Sequence, residues 1–185
     1  MILTGANYST EGIRNPLDWM YFQSDTTQLL DIHKRFGETP LLTFPTCSIL
    51  NQKIWLPYFR QIKVVKLLNQ MKYHKQEAID ALISRLDWHP YPQKHFESRF
   101  TRFYEGFWLP ARFGYDTRKV QFSSLIVTGQ MTREDALAEL GELALSESDV
   151  AREFDYVAEK LEISSDKLWE FFELPKKSSK DYKSK

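Results

Sequence analysis

With 185 residues, 42% of them hydrophobic and 27% charged, the chain lies in the range of ordinary soluble globular proteins, with room for one or at most two cores. Disorder throughout is excluded. Its 25 Lys and Arg balance its 25 Asp and Glu, which argues against a general polyanion binder, although a neutral sum can hide a local patch.

Such a patch exists. Residues 51–122 carry 13 basic and 6 acidic side chains, residues 131–173 carry 4 and 13, and the last twelve carry 5 and 1. Aromatic residues make up 15% of the chain, with 13 Phe, so large buried faces or stacking surfaces are expected. No apolar run approaches the roughly 20 residues that span a bilayer, and no basic, then apolar, leader opens the chain. The single Cys47 cannot form an internal disulfide, so a reducing, cytoplasmic compartment is expected.

In chain order, MILT reads as a short strand emptying into the polar loop GANYSTEG. Residues 24–37 carry helix signals, a polar cap at Ser24 and a stop at Gly37, with Leu29, Leu30, Ile32 and Phe36 as the apolar side. LLTFP at 41–45 and IKVVKLL at 62–68 are the other strand candidates. In KQEAIDALISRL, Ala78, Ile79, Leu82, Ile83 and Leu86 recur at the 3.6 period of an amphipathic helix.

The segment HPYPQKHFESRFTRFYEGFWLPARFG predicts one helix from about Lys94 to Trp108, stopped before Pro110. At 100° per residue, Phe96, Phe100, Phe103 and Phe107 share an apolar stripe, while His95, Arg99, Arg102 and Gly106 share another. Two arginines and a histidine on one stripe also describe a solvated face. Gly106 favours a site, because glycine costs a helix about 1 kcal/mol relative to Ala and a close approach to the backbone would justify it. Arg112, Arg118 and Lys119 follow around Gly114. Beyond them the sequence is helical, with capping patterns at Thr132/Asp135 and Ser146/Asp149, apolar periodicity at Val150, Phe154, Val157, Ala158 and Leu161, and a short helix at about 166–173. PKKSSKDYKSK is a basic tail with too few apolar residues to pack. The division expected is 1–70, the end of an α/β domain; 71–128, a basic aromatic helical region; 129–174, an acidic helical region; and 175–185, a flexible tail. The fold class is mainly α with one to three short strands, Ile2 to Thr4 being the first.

The seven Gly are never adjacent or two apart, so neither GxGxxG nor GxxxxGK occurs. Four His and one Cys are too scattered for a zinc spacing, and no nucleophilic triad can be assigned. What remains is KHFESRFTRFYEGFWLPARFGYDTRK, whose arginines suit phosphate oxygens while its aromatics pack behind them or stack on a ring. An anion is the expected ligand.

TGANYSTE, KHFESRFTRFYEGFWLPARFGYDTRK and SSLIVTGQMTREDAL together resemble the N-acetyl sugar amidotransferases of surface-polysaccharide and flagellin-sugar biosynthesis, a branch of the ATP pyrophosphatases that includes asparagine synthetase. The resemblance implies the C-terminal part of an α/β adenine-nucleotide-binding (PP-loop) domain with a helical extension. It implies adenylation of an N-acetyl oxygen on a nucleotide sugar by ATP and Mg2+, then displacement of AMP by ammonia to leave an acetamidino group. Glutaminase and cyclase-like subunits that supply the ammonia are the implied partners. By the same resemblance Lys94, His95 and Glu97 are catalytic candidates, and Thr4, Gly5, Asn7, Ser9, Glu11, Arg99, Arg102, Arg118 and Lys119 would bind nucleotide or phosphate. The SGGxDS loop that grips pyrophosphate in that family is not among these residues, so the chain looks like a C-terminal portion of such an enzyme. Pro92 and Gln93 replace the family's Gly pair, and Lys119, Val120 and Gln121 replace its basic-Ala-His run. Gln121 can hydrogen-bond but cannot carry a proton at neutral pH. A noncatalytic assembly subunit is one alternative. Another is a helix-turn-helix at YVAEKLEISSDKLWEFF, opposed by Asp166, Glu170 and Glu173 against Lys167 alone, since a recognition helix must approach phosphates.

Overall fold

A computed structural model describes residues 1–19 and 24–184. It divides into two units, one formed by Met1–Gly5, Asn15–Leu67 and Lys176–Lys185, the other by Ala6–Arg14 and Leu68–Pro175.

In the first unit, β1 (Ile2–Thr4) pairs in parallel with β2 (Val64–Lys66), Leu3 opposite Val65. These are the only strands among the described residues; 41–45 is irregular, Pro40 and Pro45 bracketing it without a ladder partner. In the second unit the first helix, α1, is a single turn (Tyr8–Glu11), and back in the first unit α2 spans Thr26–Phe36 with Asp25, not Ser24, as its cap. A π-helix runs over Asn51–Phe59, its wide turn accommodating Pro57, whose ring would collide with the i−4 carbonyl of an α-helix. The expectation that 175–185 has nothing to pack on is revised. The Ser178–Asp181 capping box orders the tail, Tyr182 meets Phe36 edge to face at 6.3 Å, Arg35 stacks over Tyr182, and Lys183 N–H donates to Asp31.

The second unit contains α3 (Lys75–Leu86), α4 (Arg99–Phe103), α5 (Leu109–Phe113), α6 (Arg118–Val127), α7 (Arg133–Gly141), α8 (Glu147–Lys160) and α9 (Ser165–Glu173). Thr132, Ser146 and Ser164 cap α7, α8 and α9, each accepting from the backbone N–H three residues on. The core is Phe103, Phe154, Val157, Ala158 and Leu168, from α4, α8 and α9. Its seam is aromatic, with Phe154 stacked on Trp169 at 4.2 Å and Phe107 on Phe172 at 5.5 Å.

The helix expected over 94–108 is corrected at both ends. Residues 94–97 form a turn, and Ser98, whose side chain accepts from Thr101 N–H, starts the helix at Arg99. A π turn at Tyr104–Trp108 then joins α4 to α5, Leu109 N–H reaching back to the Tyr104 carbonyl, so the chain passes through Pro110 and stops at Gly114. The expected apolar stripe is only partly buried, because Phe96 lies in the turn before α4 and the π turn shifts the phase of Phe107. Phe103 is buried, Phe96 and Phe107 are half-buried, and Phe100 is exposed.

Candidate functional site

A cleft of about 470 Å³ opens in the second unit between α3, the 88–97 segment and α6. Lys94, His95, Glu97 and Gln121 line it, as do the rings of Tyr73, Trp88 and Tyr91. Three catalytic candidates named from sequence therefore share one cavity with Gln121. The turn makes this possible. Pro90 and Pro92 preclude a helix across 88–93, and His95 takes a left-handed backbone (φ 69°), which turns the chain into the Ser98 cap.

Lys94 donates to Glu11 at 2.6 Å, which brings α1 to the edge of the candidate residues. His95 Nδ1 lies 3.4 Å from Glu105 Oε1, and the other oxygen of Glu105 accepts from the Thr117 hydroxyl at 3.4 Å. Sequence reasoning missed Glu105. An ideal helix places it about 80° from the His95 stripe at 3.6 residues per turn, and neither the turn at 94–97 nor the π geometry is visible in hydrophobic spacing.

The arginines stand elsewhere. Arg99 Nε donates to Glu153 at 2.9 Å and its guanidinium lies 3.6 Å from the Tyr156 ring centre; Arg102 pairs with Glu153 at 3.5 Å and Asp149 at 3.2 Å. The Ser146 hydroxyl first, then Arg102 and Arg152, hold the Asp149 carboxyl below its ordinary value. Arg118 is buried, held by Asp116 and donating to the Glu139 and Glu142 carbonyls at 3.0 Å each. Lys119 is exposed on the first turn of α6. Arg99 and Arg102 thus share one carboxylate while Arg118 has different partners, and each has an anion supplied by the protein.

Gly106 has a packing explanation. A Cβ there would lie 3.0 Å from Leu145 and 3.1 Å from Phe96, so the close approach inferred from sequence is made by side chains of this chain. Among the remaining candidates, Thr4 lies in β1 and Gly5 follows it in the first unit. In the second unit Asn7 is buried as the cap of α1, accepting from Thr10 N–H at 2.9 Å, and the Ser9 carbonyl accepts from Thr128. No group of three or more His, Cys, Asp or Glu is arranged to ligate a metal among the described residues, and no described helix is long and apolar enough to cross a membrane.

Residues 97–185 match the model of a family described as "LPS biosynthesis protein WbpG-like, C-terminal domain". The match supports the WbpG type. It begins at Glu97, so the WbpG-like segment contains Arg99, Arg102, Glu105, Arg118 and Gln121, while Lys94 and His95 lie just outside it. No curated protein and no solved structure matches the chain.

Proposed function

We propose that the chain is the C-terminal part of an ATP-dependent N-acetyl sugar amidotransferase acting in lipopolysaccharide or related surface-glycan biosynthesis in the cytoplasm. The observation that carries this reading is the gathering of Lys94, His95, Glu97 and Gln121 in one cleft, Glu97 and Gln121 within the WbpG-like segment and Lys94 and His95 just before it. Its lining favours a sugar. Tyr73, Trp88 and Tyr91 offer faces for a ring, and the charged side chains include both Lys75 and Lys94 and both Glu97 and Glu139, which suits a polar neutral group better than a triphosphate.

Arg99, Arg102 and Arg118 each pair with a carboxylate of this chain. No step is therefore routed through ATP or Mg2+ on this chain; the reading assigns adenylation to an SGGxDS-bearing segment and ammonia supply to glutaminase and cyclase-like partners. Within the cleft, Glu97 would hold the sugar's polar groups, Lys94 would join it by exchanging its Glu11 contact for the ligand, and His95 would manage protons. The helix-turn-helix alternative is not favoured, because α9 buries Leu168 in the core and leaves Asp166, Glu170 and Glu173 exposed.

The test is pyrophosphate release and amidine formation from ATP, an N-acetylated nucleotide sugar and ammonium. The purified chain is expected to give none by itself, and to support both when an SGGxDS-bearing segment is supplied. Sustained turnover by the chain alone would overturn that division of labour. Absence of acetamidino product in the combined system, with unmodified sugar recovered, would overturn the amidotransferase reading.

A further inference from the structure

Glu105 has both carboxylate oxygens engaged by side chains from different parts of the second unit. Oε1 faces His95 Nδ1 and Oε2 accepts from the Thr117 hydroxyl, each at 3.4 Å. The π turn carries Glu105, and Thr117 stands at the cap of α6, so two helical elements fix one carboxylate beside the turn that presents His95. A π turn and a left-handed non-glycine residue are both locally unfavourable; here the π turn carries Glu105, and the left-handed His95, which lines the cleft, is its partner. An ionised carboxylate only accepts, so Nδ1 must carry the proton of a neutral ring, which leaves Nε2 with its lone pair. Lys94, the adjoining cation, is bound to Glu11.

We propose that Glu105, braced by Thr117, is the positioning residue that holds His95 in its Nδ1–H tautomer, so that Nε2 moves protons for a substrate in the cleft. The inference rests on the amidotransferase reading for the identity of that substrate. Ammonia adding to the adenylated imidate carbon gives an adduct with a positive ammonia nitrogen and a negative sugar nitrogen. His95 Nε2 takes one proton from the former and gives one to the latter; the C–O bond to AMP then breaks, its electron pair leaving with AMP. The product is the amidinium, and the ring ends as it began.

The decisive measurement is the tautomer of His95 by 15N nuclear magnetic resonance of the full chain in alkaline buffer, where imidazole is neutral. The wild type is expected to show Nδ1–H, and Glu105→Ala and the milder Thr117→Val to shift the population toward Nε2–H. A wild-type ring already in the Nε2–H form overturns the proposal, whatever the variants do. In the combined turnover assay Glu105→Ala is expected to lower kcat by about tenfold or more with KM little changed. An equal rise in KM with kcat intact would instead mark Glu105 as a binding residue and overturn the proton-handling role. The two ideas fail separately: an Nδ1–H tautomer without amidine formation sinks the amidotransferase reading, whereas amidine formation with an Nε2–H ring sinks the role of Glu105.

Discussion

At the scale of single residues, the cationic stripe of Arg99 and Arg102, read from sequence as favouring an anion site, is one side of an ion-pair network with the buried Glu153 and the partly exposed Asp149. Glu153 is only 1% exposed, whereas Arg99 retains 44% of its side-chain surface. The two sides are therefore unequal. Losing the arginines strands a desolvated carboxylate, and losing the glutamate leaves cations that water can reach. Arg99→Ala with Arg102→Ala is expected to destabilise by about 3 to 5 kcal/mol, and adding Glu153→Met is expected to recover most of it, measured by urea denaturation. If the double variant is as stable as wild type, Glu153 is not held by these arginines. The consequence for function is that lost activity in Arg99→Ala reports folding before it reports a ligand. Gly114 gives a simpler case. Its φ of 75° caps α5, and a Cβ there meets nothing within 4 Å, so only conformational preference opposes a side chain. Gly114→Ala is expected to cost about 1 kcal/mol, seen as a lowered Tm, with the cleft unchanged.

At the scale of elements, what was legible in the sequence were features written in local chemistry. The Thr132 and Ser146 caps and the α8 periodicity come out as read, because capping oxygens and the 3.6 period act within a few residues, and α3 forms as a helix although Leu82, Ile83 and Leu86 of its expected core-facing stripe are exposed. The 94–113 segment departs from the expected single helix where the Ser98 cap delays its start and the π turn interrupts the α period. Hydrophobic spacing assumes an α phase, and the π turn at 104–108 changes that phase by inserting a residue. The cleft candidates Lys94, His95 and Glu97 were nonetheless found, because a resemblance identifies residues without their geometry; Glu105 needed the fold. The first turn of α8 supplies a pH test. The Ser146 hydroxyl, then Arg102 and Arg152, favour ionised Asp149, and partial burial opposes them without reversing the sign. A depressed carboxyl stabilises the fold above its ordinary value of 3.8 and loses that contribution as pH falls through its lower folded value. Asp149→Asn is expected to be less stable than wild type at neutral pH, and the gap to close below about pH 3.8. A gap that widens in acid would show the assigned direction to be wrong.

At the scale of the whole molecule, the buried apolar side chains are unevenly distributed between the two units. Phe103, Phe122, Ala136, Leu145, Phe154, Val157, Ala158 and Leu168 all belong to the second unit. In the first, the residues classed as buried among those described are Asp25 and Gln28, and Ile2, Leu3 and Val64 on its two strands are each more than half exposed. Parallel strands ordinarily lie under cover on both faces, and a pair this short has little to hold it in water. Local stability should follow that distribution, because amide protection tracks the buried apolar contacts that must open before exchange. Hydrogen–deuterium exchange of the intact chain is expected to find the slowest amides in α4, α8 and α9, around Phe103, Phe154 and Leu168. Amides of β1, β2 and α2 are expected to exchange orders of magnitude faster at the same pH. Phe154→Ala, which empties the centre of the core and is expected to cost about 3 to 5 kcal/mol, should abolish the slow class in α4, α8 and α9 together, since those helices share that ring. If β1 and β2 prove as slow as α8, the strands have a cover that the side chains described here do not provide. The first unit would then owe its stability to an additional partner surface, and not to its own contacts.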